Sequence, residues 1–133
     1  MTAFVFDSSA LLAYMQERKG SLEVTQILES ALQREAEIFM STVNYGEVYS
    51  SVLREGGADR ALATLGLIRP LPIRLVDATP ERALRAGEVK TKYRLYYADS
   101  FAAALAMEFW ASLVTGDSDF HKLGHNFPIA WLR

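Results

Sequence analysis

The stretch AFVFDSSALLAYM, Ala3 to Met15, predicts a strand, a turn and a helix in that order. Ala3 to Phe6 is a short apolar run that ends at Asp7, which is typical of a buried strand. The serines that follow Asp7 are suited to cap a helix, and an apolar segment comes directly after them. A strand that leads through a short turn into a helix is the first half of a βαβ unit, so this stretch predicts an α/β fold.

The rest of the chain continues to alternate strands and helices. The further predicted elements are a helix capped by Ser21, a strand at 37–43, a helix from about Asn44 that Gly56 and Gly57 end, a helix to about Ile68, a strand at 73–76, a helix that begins at Thr79 and Pro80, a helix at 96–110, a strand at 112–115 and a last segment at 129–133. The helix at 96–110 is apolar around nearly its whole circumference, which indicates burial. This alternation predicts a central, mostly parallel β-sheet with helices on both faces.

The composition excludes several classes of protein. The chain has 133 residues, of which 50% are hydrophobic and 23% charged, and this predicts one domain spanning 1–133. It contains no cysteine, which excludes disulfides, thiolate zinc sites, iron–sulfur clusters and a cysteine nucleophile. We expect neither a membrane span nor a signal peptide, and therefore a cytoplasmic protein. The net charge of −2 argues weakly against a nucleic-acid-binding protein, because such proteins usually present a basic surface.

Five carboxylates are predicted to meet at one edge of the sheet. In a parallel sheet the carboxyl ends of the strands and the N-termini of the crossover helices share an edge, where ligands of open α/β folds bind. The acids at such positions are Asp7, Glu47, Asp99, Asp117 and Asp119. Clustered carboxylates raise each other's pKa unless a cation neutralises them. Oxygen ligands in this number favour Mg²⁺ or Mn²⁺, and such ions typically promote phosphodiester hydrolysis.

Each of these acids also has a structural interpretation when it is taken alone. Asp7 and Asp99 are each at a position that can cap a helix. Glu47 lies off the apolar stripe of its helix and can be a solvated residue. Asp117 and Asp119 can form an Asx-type turn, which is the commoner meaning of such a pair. The sequence leaves both interpretations open for the single residues, and only their convergence favours a metal site.

Other catalytic motifs are incomplete or missing. His121 and His125 have the i, i+4 spacing of a zinc-binding helix, but no HExxH glutamate accompanies them, so we expect surface histidines. The chain has no GxSxG elbow, Walker A loop or GxGxxG motif. A phosphoacceptor receiver domain would also place acids at strand ends, but no lysine follows a late strand at a suitable position.

Four stretches in order along nearly the whole chain resemble the motifs of PIN-domain nucleases, and most of all VapC-type toxins of toxin–antitoxin pairs. They are VFDSSALLAY, STVNYGEVYS, LYYADSFAAALA and LVTGDSDF. The resemblance implies a PIN-like three-layer fold and a magnesium-dependent endoribonuclease. It maps the acidic quartet of the family onto Asp7, Glu47, Asp99 and Asp117. Asp119 matches a position that is often acidic and can bind the metal, and Thr115 matches a small hydroxyl residue beside the site.

The resemblance also implies RNA as the substrate. The net charge of −2 becomes +2 when the four quartet carboxylates are left out, so the surface that faces RNA is expected to be basic. The candidate phosphate contacts are Arg54, Lys90, Lys92 and Arg94. An ordinary solvated run of charges is the alternative for each of them.

A cognate antitoxin and a homodimer are the protein partners that the resemblance implies. Some aromatic and apolar residues are predicted to line an antitoxin groove or a dimer interface, with simple core packing as the alternative. These residues are Tyr14, Met15, Tyr45, Tyr49 and Leu53. Two further functions stay open, a PIN-domain RNA-processing nuclease outside a toxin–antitoxin system and a PIN-like binding module without turnover. The intact quartet favours the toxin.

Overall fold

Five parallel strands form the central sheet in the computed structural model, which describes residues 1–133. The strands are β1 (Thr2–Phe6), β2 (Ala36–Ser41), β3 (Arg74–Val76), β4 (Ser112–Thr115) and β5 (Ile129–Trp131). They lie in the order β3-β2-β1-β4-β5, and every neighbouring pair is parallel. The predicted α/β fold with a parallel sheet is therefore confirmed.

The strands are connected by α-helices, and a 3₁₀ helix follows β4. The helices are α1 (Ser8–Met15), α2 (Ser21–Leu32), α3 (Thr42–Ile68), α4 (Pro80–Tyr93) and α5 (Tyr97–Phe109), and the 3₁₀ helix spans Ser118–Leu123. The backbone of α3 leaves the helical conformation at Gly57, where φ is 82° and ψ is 178°. The predicted break at the glycine pair is thus confirmed. No helix has both the length and the apolar character that a bilayer-spanning segment requires.

Asp7 forms the N-terminal cap of α1, which was one of the two interpretations of this residue, whereas the cap of α2 differs from the prediction. The carboxylate of Asp7 accepts the N–H of Ala10. Ser8 and Ser9 are the first two residues of the helix, so they do not cap it. The cap of α2 is Gly20, in a left-handed conformation with φ of 92°, so the prediction of Ser21 as the cap is wrong. Glycine reaches this conformation without the steric cost that a Cβ atom adds.

The starts of α3 and α4 are held by hydroxyl caps. Ser41 ends β2 and caps α3 by accepting the N–H of Val43 at 3.1 Å, so the predicted strand at 37–43 runs two residues too far. Thr79 caps α4 by accepting the N–H of Arg82 at 3.3 Å, and Pro80 occupies the first helical position, as predicted. A hydroxyl cap satisfies one of the amide groups that the first turn leaves unpaired.

Helices cover both faces of the sheet. Neighbouring residues of a strand point to opposite faces. Phe6 and Ile38 pack with residues of α1 and α2 on one face. Val5, Phe39 and Leu113 pack with residues of α4 and α5 on the other. The molecule therefore has the three layers that the sequence predicts, with the sheet in the middle.

Helix α5 is the most buried helix of the protein, as its composition predicts. Every residue from 100 to 106 is buried. Asp99 directly precedes this segment, in the first turn of the helix. Because α5 leads into the parallel strand β4, its first turn lies at the edge of the sheet where the strands end.

The order of the strands reverses beside β1. The chain moves outwards from β1 through β2 and β3, then returns across the sheet to β4 on the other side of β1. In open α/β folds, ligands bind in the crevice at the carboxyl ends of the two strands that flank such a switch point. Here these strands are β1, which Asp7 follows, and β4, which leads to Asp117.

Candidate active site

Three hydrogen bonds hold Asp7 at the end of β1. Its Oδ1 atom accepts the hydroxyl of Ser9 at 2.7 Å and the N–H of Ala10 at 3.0 Å. Its Oδ2 atom accepts the hydroxyl of Thr115 at 2.5 Å. A carboxylate offers about four lone pairs, so one on Oδ2 stays available for a further ligand. Capping a helix and facing the switch point are therefore compatible roles for Asp7.

The surroundings of Asp7 raise its pKa in the absence of a cation. Asp7 is only 3% exposed. Burial raises its pKa to about 6, although the hydrogen bonds from Thr115, Ser9 and Ala10 lower it, and the charge of Asp117 adds a smaller increase. A cation beside this carboxylate would oppose that increase and keep it ionised.

Two hydroxyl groups tie the end of β1 to the turn after β4. Thr115 Oγ1 accepts the N–H of Asp117 at 3.0 Å while it donates to Asp7. Ser9 Oγ accepts the N–H of Gly116 at 3.0 Å while it donates to Asp7. Thr115 was singled out from the sequence, whereas Ser9 was not. The signal for Ser9 is a hydroxyl residue two positions after a strand-ending acid, a spacing that allows a local hydrogen bond.

Asp117 and Asp119 form the turn that their spacing suggests. Asp117 Oδ1 accepts the N–H of Asp119 at 2.9 Å and caps the 3₁₀ helix. Both side chains remain half-buried. One carboxylate oxygen from each, together with one from Asp99, forms a set whose members all lie within 4.8 Å of one another. The turn thus directs two carboxylates towards Asp99, and the two interpretations of this pair are compatible.

The charges of the four other acids all act on Asp99. The cap of α5 is Tyr96, without a side-chain hydrogen bond, so the interpretation of Asp99 as a helix cap is wrong. Burial is the main cause that raises the pKa of Asp99 to about 7. The carboxylates that raise it further are, in decreasing order, Asp117, Glu47, Asp7 and Asp119. The structure therefore brings all five predicted acids together at one edge of the sheet.

Glu47 is held in place by Asn44, one turn earlier in α3. The side-chain amide of Asn44 donates to Glu47 Oε1 at 3.0 Å and to the carbonyl of Ala98 at 3.1 Å. Asn44 is fully buried and Glu47 is half-buried, so Glu47 is not a freely solvated residue. Since Ala98 precedes Asp99, this amide connects the first turns of α3 and α5. Asn44 was not among the residues predicted from the sequence, although a polar residue three positions before an acid shares its helix face.

The donor set suits a hard divalent cation. The nearest ligand atoms are oxygens of Asp99, Asp117 and Asp119. Oxygens around Mg²⁺ at about 2.1 Å lie about 3 Å apart when adjacent and about 4.2 Å apart when opposite. The separation of up to 4.8 Å in this set is close to that range. The carboxylates therefore fit Mg²⁺ or Mn²⁺ after a small adjustment, with Asp7 and Glu47 close by.

The two histidines lie on the surface, as predicted. His121 is exposed in the 3₁₀ helix and stacks on Trp131 with ring centres 4.3 Å apart. His125 is exposed in the turn that follows. Neither belongs to the carboxylate set that could hold a metal.

The four candidate phosphate contacts fall into two pairs. Lys90 and Arg94 line an open depression of about 510 Å³ that Asp119 also lines. Arg54 and Lys92 are not part of its lining. The ammonium group of Lys92 lies 5.2 Å from the centre of the Tyr93 ring instead. The depression therefore joins only the first pair to the acidic cluster.

Comparison with known proteins identifies the family of this chain. The sequence pattern of the PIN domain matches residues 4–126. The chain therefore belongs to the PIN domain family, and the resemblance seen in the four motifs is confirmed at that level. No curated protein matches the sequence significantly.

Solved structures share this fold over nearly the whole chain. VapBC2 from Rickettsia felis, bound to a DNA fragment from its promoter, has a TM-score of 0.78, 14% identity, and coverage of 99% of this chain and 100% of its own. VapC20 from Mycobacterium tuberculosis, a sarcin-ricin loop cleaving toxin, has a TM-score of 0.73, 17% identity, and coverage of 91% and 95%. DNA-bound VapBC from Salmonella typhimurium has a TM-score of 0.71, 16% identity, and 98% coverage of both chains. At these identities the similarity shows a common fold.

Proposed function

We propose that this protein is a metal-dependent endoribonuclease that acts as the toxin of a toxin–antitoxin pair. The observation that carries this proposal is the set of oxygens from Asp99, Asp117 and Asp119 within 4.8 Å of one another, beside Asp7 at the switch point. Membership of the PIN domain family supports a nuclease. The structural similarity to VapC20 and to VapBC complexes supports a toxin.

Mg²⁺, with Mn²⁺ as a substitute, is the cofactor that this donor set suits best. Asp99, Asp117 and Asp119 would hold it, together with the free lone pair of Asp7 and with Glu47 directly or through water. When bound, the ion would neutralise charge on the phosphodiester and lower the pKa of the attacking water. The four quartet positions and Asp119 thus all have a function in one pocket.

The residues around the acids fix their positions before the substrate binds. Ser9 and Thr115 hold both oxygens of Asp7, which prevents this side chain from turning away. Asn44 occupies Glu47 Oε1 and leaves Oε2 without a protein partner, so Oε2 is available to orient a water or accept its proton. Such preorganisation reduces the entropy that is lost when the reacting groups are aligned.

We further propose that the face formed by α1 and α3 binds the antitoxin or a second copy of the protein. Tyr14, Met15, Tyr45 and Tyr49 are each half-buried, and Leu53 is 39% exposed. Tyr14, Met15 and Tyr45 also pack against a buried cluster, so core packing explains part of their surface. The part of the five side chains that remains exposed supports an interface. Met15 also lines a groove of about 190 Å³ between α1 and α3.

RNA cleavage by the purified protein tests the enzymatic part of this proposal. Wild type, Asp99→Asn and the matched control Asp59→Asn, which changes an exposed aspartate of α3, are incubated with total RNA in Mg²⁺, Mn²⁺ or EDTA. We expect cleavage by wild type and Asp59→Asn in either metal, and little by Asp99→Asn or in EDTA. Cleavage that persists in EDTA would contradict the metal dependence.

Expression in a bacterial host tests the biological part. A toxin should stop growth unless a partner protein encoded beside it is expressed as well. Cleavage in vitro without any effect on growth would favour an RNA-processing nuclease. RNA binding without cleavage in any metal would favour a binding module instead.

A further inference from the structure

A basic depression adjoins the carboxylate cluster. It has a volume of about 510 Å³ and lies between the C-terminal end of α4, the turn from α4 to α5 and the 3₁₀ helix. The residues that line it include Lys90, Arg94, Leu95, Tyr96, Asp119 and Lys122. Because Asp119 belongs to the carboxylate set as well, a ligand in this depression would lie directly beside the site proposed for the metal.

Three cations line this depression, and none forms an ion pair. Lys90, Arg94 and Lys122 are exposed, and no carboxylate oxygen lies within 4.0 Å of their charged groups. Lys90 also lies in the last turn of α4, where a cation is favourable beside the helix dipole. Lys122 likewise lies in the last turn of the 3₁₀ helix. Its ammonium donates to the carbonyl of Arg94 at 3.0 Å and so connects the two walls.

Tyr96 adds a large aromatic surface to the same depression. Its side chain is 76% exposed, forms no hydrogen bond and packs against no other aromatic ring. The turn is held by other groups, since Leu95 is buried and the carbonyl of Tyr96 accepts both the N–H and the hydroxyl of Ser100. The backbone of Tyr96 therefore stabilises the turn, whereas its ring makes no contact that the fold requires.

We propose that this depression binds an unpaired nucleotide of the RNA next to the scissile phosphodiester. Lys90, Arg94 and Lys122 contact its backbone phosphates, and Tyr96 stacks on its base. The inference rests on the proposed function and specifies the substrate as RNA that is single-stranded at the cleavage position. A base within a duplex is stacked on its neighbours and is not available to an aromatic side chain.

The phosphate contact is tested with Arg94→Asn. Arg94 has a left-handed backbone with φ of 57°, which asparagine adopts readily, so the change removes the charge without strain. The matched control is Arg34→Asn, because Arg34 is also exposed, has φ of 61°, and precedes β2 at the opposite edge of the sheet. Fluorescence anisotropy of a labelled oligouridine in EDTA at several salt concentrations measures binding without turnover. Binding weakens as salt rises, so the slope of the log of the binding constant against log salt is negative. We expect Arg94→Asn to make this slope less steep by about 0.7, and Arg34→Asn to leave it unchanged.

The stacking contact is tested with Tyr96→Ala and Tyr96→Phe. Loss of the ring should weaken oligouridine binding by about 5- to 150-fold without changing the salt slope, whereas phenylalanine should stay within about twofold of wild type. The same oligouridine annealed to oligoadenosine should bind wild type and Tyr96→Ala equally, because its bases are paired.

Two results would overturn the proposal. If Arg94→Asn and Arg34→Asn bind oligouridine with the same affinity and salt slope, the depression does not hold phosphate. The same conclusion would follow if wild type did not bind oligouridine in EDTA. If Tyr96→Ala binds oligouridine like wild type, the exposed ring serves a protein contact instead. Binding that depends on the depression, together with no cleavage in any metal, would contradict the proposed nuclease and leave the nucleotide site standing.

Discussion

The hydroxyl of Thr115 donates a hydrogen bond to Asp7 across 108 positions of the sequence. The same oxygen accepts the N–H of Asp117 at 3.0 Å. Since β1 and β4 are neighbours in the sheet, this buried side chain links the ends of the two strands that flank the switch point. Thr115 is therefore the one side chain that hydrogen-bonds directly to both Asp7 and the N–H of Asp117, while Ser9 joins Asp7 to Gly116.

Thr115→Val tests this link because valine has nearly the same shape and no hydroxyl. The change leaves the N–H of Asp117 and Oδ2 of Asp7 without their partner, so we expect a loss of about 1–3 kcal/mol in the free energy of unfolding and slower cleavage. Thr115→Ser keeps the hydroxyl and should lose less of both. Urea unfolding and cleavage assays on the three proteins measure this, and equal values for valine and serine would contradict the role of the hydroxyl.

Asp99→Asn should move activity and stability in opposite directions. The substitution removes a charge from the centre of the acidic cluster and leaves a poorer ligand for a hard cation. Metal-dependent cleavage should fall by orders of magnitude, whereas the metal-free protein should be as stable as wild type or more stable, because repulsion among the acids is relieved. Cleavage at the wild-type rate would exclude Asp99 from the site.

The metal-free protein should lose stability as the pH rises. The pKa values of Asp7 and Asp99 are raised from 3.8 to about 6 and about 7, so the folded state binds more protons than the unfolded state between about pH 4 and 7. The free energy of unfolding in EDTA should therefore decrease across this window and level off above it. Asp99→Asn should flatten the decrease. A wild-type stability in EDTA that rises from pH 5 to 7 would contradict these pKa shifts.

Added Mg²⁺ should reverse this pH dependence. A bound cation favours the ionised carboxylates, so its stabilising effect should be larger at pH 8 than at pH 5. Thermal unfolding at both pH values, with Mg²⁺ and with EDTA, measures the difference. An increase in melting temperature that is equal at the two pH values would mean that the ion does not bind at the acids.

Asn44→Asp should damage both stability and activity. The substitution replaces an amide donor by a carboxylate beside Glu47 Oε1 and the carbonyl of Ala98, in a buried position. We expect a loss of about 1–3 kcal/mol or more in the free energy of unfolding, because both acceptors lose their partner and a charge is buried. Cleavage should fall as well. The control Gln26→Glu makes the same chemical change on the exposed face of α2 and should alter neither property.

The sequence by itself determined the α/β class, the buried helix α5 and the edge at which the acids lie. These features follow from local patterns, since apolar periodicity distinguishes strands from helices, and parallel strands with crossover helices direct strand ends and helix starts to one edge. Asp7, Glu47 and Asp99 could be assigned to that edge without knowing the order of the strands. The helix caps were less predictable, because Asp7 and Gly20 competed with serines one position away.

Only the tertiary structure decided which of these groups touch. It placed β4 beside β1, so that Thr115 donates a hydrogen bond to Asp7. It also placed a carboxylate oxygen of Asp119 within 4.8 Å of those of Asp99 and Asp117. It also brought Asn44 against the carbonyl before Asp99 and Lys122 against Arg94. These contacts join residues far apart in the chain, and they depend on strand order, helix packing and side-chain rotamers, which a local pattern of residue types does not contain.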